Sequence, residues 1–120
     1  MSDIDNYENY VAEYKKQYFA IGGVPCPAFN NDLVFFNKKG WNHLLRKNGM
    51  LRAPKDQIRR LKLIVHAEYI IRNSYNWNEH RAQESKSEFW SFVAKVDNAK
   101  IIVIVRRDYN KKYFFSVMNN

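Results

Sequence analysis

The chain is poor in the residues that staple, hinge or punctuate a fold: its 120 positions include one cysteine, three prolines and four glycines. Cys26 alone closes no internal disulfide, and a zinc site would need several further His, Cys or acidic ligands at a spacing this sequence does not offer. Glycine is too sparse for a phosphate-cradling loop, and no such motif occurs. No apolar run approaches the roughly 20 residues that span a bilayer, and no basic segment leads into an apolar stretch, so the expectation is a soluble, cytoplasmic protein with no membrane partner. Internal repeats and heptad arrays are missing too. Acidic residues are in deficit, 12 Asp and Glu against 20 Lys and Arg, which leaves a formal net charge of +8. Such an excess favours polyanionic partners, nucleic acid ahead of anionic membrane, and is silent on fold.

What the chain does have is apolar and aromatic side chains, 46% and 16% of it. That is enough for one compact core in a length too short for two ordinary domains. Ile4, Tyr7, Val11, Tyr14 and Tyr18 recur at helical spacing behind a capping-box pair, Ser2 and Asp5, which predicts an amphipathic helix over residues 3–20 that docks its tyrosine stripe on the domain. Residues 1–23 are thus an N-terminal helix and 24–120 an α+β domain, packed as one unit. Residues 24–31, with Pro25 and Pro27, read as loop and residues 33–36 as a short strand. Asn37 is a suitable N-cap for a helix over 38–48, and Pro54 suits the first turn of a longer helix over 54–73. From Ser74 to Glu88 the pattern dissolves into a mobile, polar connection containing Trp77, His80 and Arg81.

Three β-rich runs, 89–96, 100–107 and 111–118, close the chain, and helices followed by grouped strands imply an α+β fold with a mostly antiparallel sheet ending in a three-stranded meander. With Asp97 and Asn98 as a two-residue turn, Trp90, Phe92 and Ala94 face Val105, Val103 and Ile101. A three-residue loop, Asp108 to Asn110, with Asn110 in the left-handed region, would pair Arg107 with Lys111, Val105 with Tyr113 and Val103 with Phe115. Side chains alternate with period 2, so this register makes one face apolar, from Trp90 to Val117, for helices to cover. The other face becomes a groove with a floor of Val93, Ile102, Ile104 and Phe114 and a rim of Ser91, Lys95, Lys100, Arg106, Lys112 and Ser116.

Such a groove fits RNA chemistry that needs neither metal nor cofactor. RNA carries its own nucleophile, the 2′-hydroxyl, so a protein need only move protons and stabilise charge on the phosphate. His43 is the candidate acid or base, Arg106 and Lys112 the candidate phosphate ligands, and Ser116 the hydroxyl donor. Arg46, Lys47, Lys95, Lys100, Trp77 and His80 are candidate RNA contacts, Trp77 through stacking. His80 beside Arg81 is the substitute histidine. Plainer roles fit the same residues: a surface histidine beside a buried Trp, a strand serine, and charges that guard a sheet edge. The competing function is a non-catalytic RNA- or DNA-binding module using the same basic groove, and a weaker third is an interaction protein engaged through the tyrosine stripe.

The stretch LVFFNKKGWNHLLRK, residues 33–47, sets a strand, a Lys-Gly pair and a helical histidine in quick succession, and a long helix and a meander ending in YFFSVM follow. Over residues 33–118 this layout resembles the barnase, EndoU, colicin and RelE-like superfamily, especially its small nucleases from phages and bacterial toxin systems. The resemblance implies a toxin- or phage-associated endoribonuclease acting on tRNA or mRNA, with an immunity protein or antitoxin as partner. It also implies site positions on the early helix, a middle strand and the last strand, which here are His43, Arg106 and Ser116. No second histidine falls on the sheet.

Overall fold

The tyrosine stripe forms helix α1 (Tyr7–Ile21) in the computed structural model, which describes residues 6–82 and 87–119. The Ser2 and Asp5 capping pair lies outside the described residues. The stripe docks as expected: Tyr18 is fully buried and donates to the Asn37 carbonyl at 2.7 Å, while Tyr7 donates to Gln57 Oε1 at 2.7 Å. Burial pushes the Tyr18 hydroxyl well above the usual phenol range, so it stays a donor.

The segment expected as loop is ordered into strand β1 (Gly23–Cys26) and a 3-10 turn (Pro27–Phe29), followed by β2 (Asp32–Phe35). Pro25 is tolerated because β1 is the outer strand of the sheet, where a missing N–H costs no ladder bond. Helix α2 (Lys38–Leu45) is capped as predicted by Asn37, whose side chain accepts from the Gly40 N–H at 3.2 Å. It ends three residues early, since Arg46–Lys47 (β3) turns through Asn48 and Gly49 to pair with Met50–Leu51 (β4). Both turn residues have positive φ, 54° and 79°, so the glycine serves a hairpin and not a helix stop. The long helix is two, α3 (Pro54–Lys62) and α4 (Ile64–Asn73), broken at Leu63, which closes a tighter bond to the Arg60 carbonyl. The break lets α3 pack on α1 and α2 while α4 packs on the sheet.

The polar connection also holds a strand, β5 (Glu79–Ala82), paired with β6 (Ser87–Val96). With β7 (Ala99–Asp108) and β8 (Lys111–Asn119) the six strands run in the order β1-β2-β8-β7-β6-β5, antiparallel except where β2 meets β8. The fold is therefore α+β with a C-terminal meander. Asp97 and Asn98, at φ 50° and 68°, form the predicted turn, and Trp90, Phe92 and Ala94 meet Val105, Val103 and Ile101 as expected.

The second turn differs. Asp108 pairs with Lys111 around a two-residue turn with Tyr109, not Asn110, at positive φ, and the odd residue is absorbed inside β8 as a bulge at Phe115. Before the bulge every side chain lies on the opposite face from the one predicted, and after it the predicted face is restored. Phe114 faces Val105 and is buried beside Tyr18 and Phe36, whereas Phe115 leaves the core. Lys112 pairs with Arg107 and Tyr113 with Arg106, so Lys112 and Arg106 stand on opposite faces.

The inner face, with Phe92, Ile101, Val103, Val105, Phe114 and Val117, is buried against α4 through Ile64, Ala67, Ile70 and Ile71. Below its short pairing with β2, the edge of β8 is closed by helices. Gly40 lets α2 approach so near that an added Cβ would lie 2.3 Å from the Phe114 carbonyl oxygen, and Arg60 donates to the Val117 carbonyl at 3.0 Å. The helix that packs broadly on β6 and β7 is α4, from the inner face, while α2 reaches the outer side of β7 through Lys39, which donates to Asp108.

Candidate functional site

The bulge in β8 turns Phe115 onto the outer face, and its ring is the point where the separate elements meet. His43 of α2 lies 4.2 Å from it centroid to centroid, Phe89 of β6 5.6 Å, and the Arg106 guanidinium of β7 5.5 Å. Arg106 also lies 5.2 Å from the Phe89 ring, so its flat cation is held between two aromatic surfaces. Ser116, next in the chain, pairs with Ile104 and is buried. Three of the four predicted catalytic residues, His43, Arg106 and Ser116, therefore gather at the bulge.

Two atoms in this cluster are conspicuous. His43 Nδ1 and Ser116 Oγ are buried and make no hydrogen bond among the described residues, at a cost of about 1–3 kcal/mol for each such group. The imidazole pKa is pushed down to about 4, first by burial and then by the positive charges of Arg52, Arg60 and Lys47. His43 is thus neutral at physiological pH. Arg52 and Arg60 are themselves largely buried and share one carboxylate, Asp56, with Arg59. Arg52 also donates to the His43 carbonyl at 3.2 Å, which ties this cationic patch to α2.

Arg106 is oriented from behind by Asp108, which accepts from its Nε at 2.9 Å, from Ser87 at 2.9 Å, from the Tyr113 hydroxyl at 2.9 Å and from Lys39 at 3.2 Å. Although burial acts against it, these four donors hold the Asp108 carboxyl well below the usual range. Burial and the bond to Asp108 push the Tyr113 hydroxyl up, so it remains a donor. The carboxylate fixes the guanidinium and leaves the group cationic toward the open face.

The remaining candidates scatter. Lys112 lies across the sheet, 4.9 Å from the Phe29 ring and 3.4 Å from Asp32, so it takes no part at Arg106. Lys95 and Lys100 pair with each other on the outer face at the far hairpin, about 20 Å along the strand from Arg106. Trp77 stacks on Phe29, and His80 stacks on Trp90 and bonds Glu88 at 2.6 Å; both belong to the inner side of the sheet. Arg46 and Lys47 are exposed on β3, where Lys47 contributes to the field at His43.

Comparison of the chain with protein-family models, with curated proteins and with solved structures finds no match in any of the three. The site stands on its own geometry. Among the described residues no three His, Cys, Asp or Glu side chains gather as metal ligands, and no helix is long and apolar enough to cross a membrane. The sequence reading passed over Arg52 and Arg60. Their signal was present in the spacing of Arg52, Asp56 and Arg60, each four residues from the next across the start of α3, with a single acid between two guanidinium groups.

Proposed function

We propose that the protein is an endoribonuclease whose reaction centre is the β8 bulge, where His43 and Ser116 present buried polar atoms without partners beside the braced guanidinium of Arg106. That convergence is the observation that carries the reading. A phosphodiester laid along the outer face meets Arg106 through its non-bridging oxygens, and the Ser116 hydroxyl donates to the same group. Neutral His43 takes the proton from the 2′-hydroxyl as that oxygen attacks phosphorus. The resulting imidazolium, made a strong acid by its cationic surroundings, returns the proton to the departing 5′-oxygen. One histidine thus serves both proton transfers; His80 does stand on the sheet, in β5 and against the expectation of no second histidine there, but it stacks on Trp90 on the inner side, away from Arg106. The products are a 2′,3′-cyclic phosphate and a 5′-hydroxyl, with atoms and charge conserved.

The toxin- or phage-type setting and an immunity or antitoxin partner belong to this reading through the family resemblance alone. A second reading, a non-catalytic RNA-binding module, is favoured by one feature: Arg106 already spends two of its donors on Asp108 and Ser87. End-group analysis of RNA incubated with the protein separates the two. Cyclic phosphate ends that disappear with His43→Ala support the nuclease, and intact RNA bound with salt-sensitive affinity supports the module.

A further inference from the structure

The sheet ends on β1 at one side and β5 at the other, and the chain treats these two edges differently. An outer strand presents a row of unpaired N–H and C=O groups, which invites another strand unless proline, lysine or a covering element blunts it. β1 is blunted: Pro25 lacks an N–H, Val24 and Cys26 are fully buried, and α4 packs against the strand. β5 is left open. Its four residues, Glu79, His80, Arg81 and Ala82, are all exposed, it contains neither proline nor lysine, and among the described residues β6 is its one strand partner.

Charge decides what an open edge accepts. Glu79 and Arg81 flank His80 and project from the outer face, while His80 turns inward and stacks on Trp90. Like charges at these two positions would repel a copy of the same strand. Opposite charges at this spacing are instead self-complementary: when two such strands meet antiparallel about His80, each Glu79 stands opposite the Arg81 of the other copy. Directly opposed side chains are about 5 Å apart, against about 7 Å for the two within one strand, so the pairing between copies is the closer one. The inner face adds apolar surface beside the same edge, since Trp77 lies 6.0 Å from His80 and is 42% exposed.

We propose that β5 is a dimerisation edge at which a second copy of this chain continues the sheet antiparallel, with Glu79 of each protomer opposite Arg81 of its partner and the two His80 residues at the twofold axis. That axis is perpendicular to the sheet, so the two outer faces join into one surface, and the two Arg106 side chains fall about 24 Å apart at about 4.8 Å per strand. A ladder this short belongs with the small, transient interfaces, for which a Kd of about 10–100 µM is expected. Sedimentation equilibrium over a concentration series tests it, at about 0.15 M salt, where repulsion between the two +8 copies is screened beyond about 8 Å. The wild type should pass from monomer to dimer. Arg81→Glu opposes carboxylates, Glu79→Arg opposes guanidinium groups, and each should weaken the dimer about tenfold or more, because two cross-strand pairs are lost and two repulsions gained. The double exchange, Glu79→Arg with Arg81→Glu, recreates both pairs in this register and should restore the wild-type Kd to within about threefold. A wild type that stays monomeric up to about 1 mM would overturn the proposal. So would a dimer indifferent to both single reversals, or one that the double exchange fails to restore.

Discussion

At the scale of single residues, His43 has the most measurable consequence. Its pKa, about 4 in the folded protein, lies below the roughly 6.5 of an unfolded histidine. The unfolded chain therefore binds more protons between these values, and the stabilisation is complete above about pH 6.5 and lost as the pH falls toward 4. For this one group the loss is about 2 kcal/mol at pH 5, an upper figure given its partial exposure. Urea unfolding at pH 7 and pH 5 checks it: His43→Gln should lose less stability over that interval than the wild type by this amount, and parallel losses would show that the imidazole is not desolvated. The proposed reaction divides the cations in the same residue-by-residue way. Arg106→Ala should lower RNA turnover about a hundredfold or more, the range expected for a group that stabilises developing charge. Lys112→Ala should leave turnover near wild type because its ammonium is on the far face of the sheet, and an equal loss in both variants would contradict the observed register.

Between elements, the contact of α2 with β8 holds the histidine against the bulge. Gly40→Ala would drive a methyl group against the Phe114 carbonyl and the Tyr18 hydroxyl, so a destabilisation of about 1–3 kcal/mol is expected in denaturant unfolding, as for other overpacked sites. A neutral substitution would mean that α2 does not seat there. Element by element, the sequence was legible where one local signal dominated. The Asn37 cap, the Asp97 and Asn98 turn and the tyrosine stripe each needed only neighbouring residues. Legibility failed where distant partners decide. β1 and β5 are short strands that exist because β2 and β6 complete their hydrogen bonds, and neither shows useful alternation alone. The turn after Asp108 was misread because a residue can be inserted in the loop or in the strand with the same sequence, and only packing of Phe114 into the core selects the strand. That single choice kept Ser116 on the same sheet face as Arg106 and sent Lys112 to the other. Arg60 was missed because a charged residue on a helix is ordinarily solvated, and its burial follows from the β8 edge it covers; Arg52, just ahead of α3, is buried by its bonds to the His43 carbonyl and Asp56.

On the scale of the whole molecule, the net charge of +8 predicts RNA binding whose affinity falls steeply with salt, since each neutralised phosphate releases condensed counterions. Reversing both hairpin lysines, Lys95→Glu with Lys100→Glu, should weaken binding alike for many sequences and reduce the salt slope while leaving turnover at saturation unchanged, because the pair sits about 20 Å from Arg106. Filter binding across a salt series checks this, and an affinity indifferent to salt would remove RNA from the account. The central claim is that the bulge at Phe115 assembles a site that makes RNA attack itself. Its most direct measurement is cleavage, in excess chelator, of one single-stranded RNA and of the same sequence with every 2′-hydroxyl removed, by the wild type and by His43→Gln. The account predicts cyclic phosphate products from the first substrate, none from the second, and a loss of about a hundredfold or more in the variant. Cleavage of both substrates alike, or full activity without the imidazole, would contradict it.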